Sequence, residues 1–115
     1  MISGKVWGTT CEVFKRNNVE IHRIHINAGG YCSKHRHNHK YNAFYVESGH
    51  LKVRVWKHDY ALIDEVGLMP GMQTAIAPGE YHQFEAITNC VAYEIYWTEM
   101  EGKDIERETN GGIRG

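Results

Sequence analysis

Three of the chain's eight histidines fall within five positions of "HRHNH", at His35, His37 and His39. On an extended strand His35 and His37 are i and i+2, so their rings leave the same face a few ångströms apart. That spacing suits two neighbouring positions on one metal ion, since imidazole binds zinc, iron, nickel and copper well. A third ligand must then come from elsewhere. "APGEYHQF" offers one: Pro78-Gly79 makes a turn and His82 opens the apolar run that follows. A sheet folding over on itself would bring His82 opposite the His35/His37 pair. The bland alternative is a set of surface imidazoles without metal. His39 shares strand parity with the pair, but the chain turns near Lys40-Tyr41, leaving His39 as a ligand, a partner of a ligand, or a solvated or substrate-facing residue.

The elements that must position these residues are strands. Period-two alternation dominates: "LKVRVWK" sets Leu51, Val53 and Val55 against Lys52, Arg54 and Trp56, and "VAYEIYW" sets Val91, Tyr93, Ile95 and Trp97 against Ala92, Glu94 and Tyr96. In "VEIHRIHI" the phase slips, with Val19 and Ile21 on one parity and Ile24 and Ile26 on the other; a β-bulge near Arg23 would repair it. Turn signals at Asn17-Asn18, Gly29-Gly30, Ser48-Gly49, Pro70-Gly71 and Pro78-Gly79 separate the runs. The reading is all-β, an antiparallel sandwich or barrel. A short helical turn is expected at "GKDIERE", residues 102–108, with one domain over residues 1–110 and a frayed tail at 111–115.

Composition narrows the function. The 115 residues are 42% hydrophobic and 23% charged, and thirteen Lys and Arg against fourteen Asp and Glu give a net charge of -1. That is globular composition, with no bulk charge asking for nucleic acid or an anionic membrane. No apolar run approaches the roughly 20 residues of a membrane span, and "MISGKVWG" lacks the apolar core of a secretory signal. Cys11, Cys32 and Cys90 are odd in number and far apart, which predicts reduced thiols and a cytoplasmic setting.

Two motifs in order resemble those of the cupins. The first reads Gly29, His35, His37, Asn42 where glutamate is usual, and Gly49; the second reads Gly71, Pro78-Gly79 and His82, with Ala86 in place of the usual asparagine. The resemblance implies a double-stranded β-helix, a jelly-roll barrel with a metal in its mouth. A narrower likeness runs end to end. "KVWG" at 5–8, "IHRIHINAGG" at 21–30, "KHRHNHKYNAFYVESG" at 34–49, "IAPGEYHQ" at 76–83 and "GKDIERE" are similar to the C-terminal cupin of type II mannose-6-phosphate isomerases, often fused to mannose-1-phosphate guanylyltransferases.

What this likeness implies is one divalent ion (zinc, manganese, iron or nickel) held by His35, His37, His82 and Asn42. His39, Tyr45, Tyr81 and Gln83 would stand beside it or meet substrate. The small polar ligand would be a sugar or sugar phosphate, with isomerase-like chemistry. Cupins of this size are commonly homodimers, and "KVWGTTCEVFKR" would suit pairing with a partner's sheet. The departures matter. Asn42 removes a carboxylate from the ligand set, and Gln83 and Lys5 stand where the isomerases carry arginines. Two alternatives follow, a three-histidine iron dioxygenase and a non-catalytic metabolite-binding module. Glu47 and Glu85 are the nearest carboxylates in sequence, while His22, His25, His50 and His58 show no partner pattern and are expected to face solvent.

Overall fold

In the computed structural model, which describes residues 1–57, 62–99 and 108–115, nine strands follow one another: β1 (Ile2–Lys5), β2 (Gly8–Arg16), β3 (Val19–Ile26), β4 (Tyr41–Ser48), β5 (Leu51–Lys57), β6 (Leu62–Leu68), β7 (Gln73–Ile76), β8 (Tyr81–Ala86) and β9 (Cys90–Trp97). They form two antiparallel sheets, one of order β1-β2-β3-β9-β4-β7 and one of order β6-β5-β8. The expected all-β jelly roll is what the chain adopts. Residues 102–107, which hold most of the expected helical turn, lie outside the described residues.

Turn chemistry sets the corners. Gly49 joins β4 to β5 at φ +86°, where a Cβ would meet the Asn89 carbonyl oxygen at 2.2 Å, so only glycine fits. Gly79 (φ +85°) makes the turn before β8, and its N–H donates to the His37 carbonyl at 2.8 Å.

The two sheets are closed along β8 by residues 29–35, which pair with it without forming a full strand. Gly29 N–H donates to Ala86 O, Cys32 N–H to Phe84 O, and His35 and His82 exchange both backbone hydrogen bonds, at 3.1 and 2.8 Å. Backbone pairing thus joins the two halves of the sequence motif directly.

Along each wall the inward side chains change from apolar to polar in the same direction. One cross-strand row of the large sheet is Ile24, Ala92 and Val46; the next is His22, Glu94 and Phe44; the next is Glu20, Tyr96 and Asn42. On the small sheet, Ala86 and Phe84 precede His82. The apolar end is the core: Phe84 packs edge-on against Trp7 (centroids 5.0 Å apart) and Phe44 (5.7 Å), with Ile24, Ile26, Leu51 and Val53 fully buried around them.

One expectation about β3 is corrected. β3 runs in unbroken register with β9, and the bulge lies in β2, between Glu12 and Phe14. The phase slip has another cause: Glu20 and His22 take inward positions in the polar half of the barrel. All three cysteines are free thiols, Cys32 and Cys90 buried and Cys11 partly exposed. Among the described residues no helix is long and apolar enough to cross a membrane.

Candidate metal centre

His35, His37 and His82 come together at the polar end, with one ring nitrogen of each lying within 4.8 Å of the others. Ring centroids are 4.5 Å apart for His35 and His82, 5.2 Å for His35 and His37, and 5.5 Å for His37 and His82. Two of the rings are held in one tautomer. Nδ1 of His35 lies 2.8 Å from the Ser33 carbonyl, and Nδ1 of His82 lies 3.0 Å from the Glu80 carbonyl. A carbonyl only accepts, so each Nδ1 carries the proton and each Nε2 keeps its lone pair, the state a metal needs.

Three buried polar atoms here lack any hydrogen-bond partner among the described residues: His37 Nε2, His82 Nε2 and Asn42 Oδ1. An orphaned buried acceptor costs about 1–3 kcal/mol, and native interiors leave few of them. Asn42, 1% exposed, is oriented by its amide, which donates to the Ile95 carbonyl at 3.2 Å. Burial favours the neutral form of His82 and His37. The His82 pKa is pushed down to about 4 by desolvation, then by the nearby His35 and His37, against the opposing pull of the Glu80 carbonyl. His37 is lowered too, by desolvation first and then by His35 and Lys40. Partnerless polar atoms on two buried imidazoles and a buried amide, with the His35 ring against them, are what a divalent ion fits.

A cavity of about 320 Å³ opens beside His37, small on the scale of ligand pockets. Its wall on β3 and β9 carries Glu20, His22, Glu94 and Tyr96, and Lys5 and Lys40 also line it. His22 Nε2 bonds Glu20 Oε1 at 2.7 Å, and Lys40 Nζ lies 3.7 Å from Glu20 Oε2. The hydrogen bond from His22 is the chief influence holding the Glu20 carboxyl below its usual range. Tyr96 donates to Glu94 Oε2 at 2.9 Å. Desolvation pushes the Glu94 carboxyl upward, more than that hydrogen bond lowers it. Ligand atoms of Glu12, Glu20 and His22 also cluster within 4.8 Å, but Glu12 is exposed and the other two already satisfy each other.

The remaining candidates stand apart from the cavity. His39 is exposed and outside the cluster. Tyr45, 41% exposed, lies beside Tyr93 on the outer face. Tyr81 sits under the Arg36 and Lys34 cations. Gln83 donates to the Cys32 carbonyl and accepts from Arg54. The reason is alternation: positions 45, 81 and 83 have the opposite parity to Asn42 and His82 on their own strands. Glu47 binds Arg23 (2.8 Å) and Tyr93 (3.0 Å), and Glu85 binds Arg54 (2.6 Å), so both carboxylates are engaged away from the cavity. His22, expected in solvent, is a cavity residue instead. The signals that point to it and to Glu94 are a broken phase in β3 and a lone carboxylate on the Ala92 face of β9.

The architecture is the cupin fold. The structure of KdgF from a Halomonas species superposes with a TM-score of 0.74 at 13% identity, over 87% of this chain and 89% of that one. The capsular polysaccharide assembling protein CapF from Staphylococcus aureus matches with a TM-score of 0.74 at 21% identity, over 87% of this chain and 28% of CapF. The cupin domain of Schizosaccharomyces pombe Cnp3 gives 0.73 at 14% identity, over 86% of this chain and 69% of that one. No protein-family profile and no curated protein sequence matches the chain.

Proposed function

We propose that this chain is a divalent-metal cupin that acts on a small polar metabolite of the sugar or sugar-phosphate class, with isomerase-like chemistry. The observation that carries the reading is the set of partnerless buried polar atoms, Nε2 of His37 and His82 in the cluster with His35 and Oδ1 of Asn42, whose strand partner Tyr96 packs on His37. His35, His37, His82 and Asn42 would hold the ion. Bound there, a divalent metal supplies Lewis acidity toward a carbonyl or hydroxyl oxygen.

Several observations support the substrate class. Lys5 and Lys40 put cationic groups in a cavity of sugar size. Position 83 faces away from it, so its glutamine leaves the cavity's capacity for an anion unchanged. The fold's neighbours include a protein of capsular polysaccharide assembly and an oxalate decarboxylase with Mn(II) centres. The neutral ligand set favours one second reading, an iron-dependent dioxygenase. As for assembly, the β1–β2 hairpin at the edge of the large sheet exposes Ile2, Val13 and Phe14, a surface suited to pairing with a second copy.

Elemental analysis of tag-free protein purified without chelator tests the metal. About one equivalent per chain is expected in the wild type and none in the His37→Ala, His82→Ala double variant. Absence of metal from the wild type after reconstitution would overturn the reading, and iron in place of zinc, manganese or nickel would favour the dioxygenase.

A further inference from the structure

Four polar side chains form a square on the inner face of the large sheet. The β3–β9 register sets Glu20 opposite Tyr96 and His22 opposite Glu94, and all four line the cavity beside His37. Each strand contributes one internal hydrogen bond, His22 to Glu20 on β3 and Tyr96 to Glu94 on β9. With Glu20 ionised, its oxygen only accepts, so a ring proton of His22 sits on Nε2, which leaves Nδ1 as the ring nitrogen free to exchange a proton with a bound molecule. Glu94 Oε1 has no hydrogen-bond partner among the described residues. The square therefore places a proton acceptor next to a carboxyl group, each oriented by a neighbour, in a cavity that Glu47 and Glu85 do not reach.

We propose that this square is proton-transfer apparatus for an α-hydroxy aldehyde or ketone, with His22 as base and Glu94 as acid, and with Glu20 and Tyr96 as positioning residues. The inference deepens the metabolite reading above, because it uses the same cavity. His22 Nδ1 takes the proton from the hydroxyl-bearing carbon, and that C–H electron pair becomes a C=C bond. The carbonyl π pair takes the proton of Glu94, giving an enediol and a Glu94 carboxylate. In the second half Glu94 removes the proton of the other hydroxyl, whose electrons form the new carbonyl. The C=C pair then takes the proton back from His22 at the adjacent carbon. Hydrogen has moved between neighbouring carbons, both residues are restored, and no oxidant is consumed.

The test is deuterium incorporation from D2O into dihydroxyacetone and fructose 6-phosphate, followed by proton NMR with metal-loaded protein. Wild type is expected to exchange the proton beside the carbonyl. His22→Gln and Glu94→Gln are each expected to slow exchange at least 100-fold, the usual scale of one acid or base, with metal content and melting temperature retained. Glu20→Gln and Tyr96→Phe are expected to keep part of the rate with a displaced pH profile. Independently, 15N NMR of the His22 ring is expected to show Nδ1 without a proton. A protonated Nδ1, exchange absent from the wild type, or exchange undiminished in Glu94→Gln would each overturn the proposal. A wild type that loads metal yet exchanges neither compound sinks this inference alone. One that loads no metal sinks the metal centre, and exchange is then scored on the same variants without it.

Discussion

Acidifying the metal-free protein isolates the cost of burying His82. Its folded pKa is about 4 against the usual 6.5, and desolvation is the leading cause. The folded value is the lower one, so between the two values the unfolded chain binds more protons and stability falls as pH falls. The contribution is intact above 6.5 and is lost progressively toward 4. At pH 5.0 the unfolded imidazole is almost fully protonated and the buried one is not. At about 1.4 kcal/mol per pH unit, the loss between pH 7.5 and 5.0 is about 2 kcal/mol, a large share of an ordinary domain's 5–15 kcal/mol. The lowered carboxyls of Glu20 and Glu80 act in the same direction but mostly at lower pH. The measurement is urea denaturation of chelator-treated wild type and His82→Gln at pH 7.5 and 5.0. Wild type is expected to lose about 2 kcal/mol more than the variant over that interval. Equal losses in the two proteins would refute the claim that His82 is held neutral by burial. Adding Zn2+ is expected to protect wild type alone, since proton and metal compete for the same Nε2.

Asn42→Leu removes an acceptor that has no partner. Metal affinity is expected to fall at least tenfold by titration calorimetry, while the metal-free variant melts no lower than wild type; unchanged affinity would remove Asn42 from the ligand set. Phe84→Ala empties the contact shared with Trp7 and Phe44 at a position only 1% exposed. A loss of about 3–5 kcal/mol in chemical denaturation is expected, and a loss below about 1 kcal/mol would mean that this end of the barrel is not the core.

How much of this was legible depended on whether inward meant apolar. Leu51, Val53 and Val55 alternate cleanly with charged neighbours, and the strand they predict is the one that forms. The histidine motif was legible because its spacing is a chemical signal independent of hydropathy. β3 was harder. Reading Val19 and Ile21 as inward forced a bulge at Arg23, whereas the strand is regular and its inward residues at that end are Glu20 and His22. On β9 Val91, Tyr93, Ile95 and Trp97 are all apolar or aromatic and the other parity mixes Ala92, Glu94 and Tyr96, so alternation alone leaves the core face unassigned. Ala92 is the fully buried residue, and its parity leads to Glu94 and Tyr96. Tyr45, Tyr81 and Gln83 lie near the motif histidines in sequence, but one step along a strand reverses the face.

The handover from apolar to polar runs in the same direction on β3, β9 and β4, one row later on β4, where Phe44 stands beside Glu94, and this ties the site to stability. The rows past Ile24, Ala92 and Val46 bring in His22, Glu94, Glu20, Tyr96 and Asn42, groups that contribute little hydrophobic stabilisation. Glu20, His22, Tyr96 and Glu94 satisfy one another in pairs, which limits the cost of placing them there. His37, His82 and Asn42 each leave a buried polar atom unsatisfied, and each such atom costs about 1–3 kcal/mol until something binds it. A ligand that binds the folded chain and not the unfolded one returns that energy as stability. With an ion bound as proposed, the mouth of this barrel would be the place where metal occupancy and folding are coupled, and the part of the fold most sensitive to losing the ion.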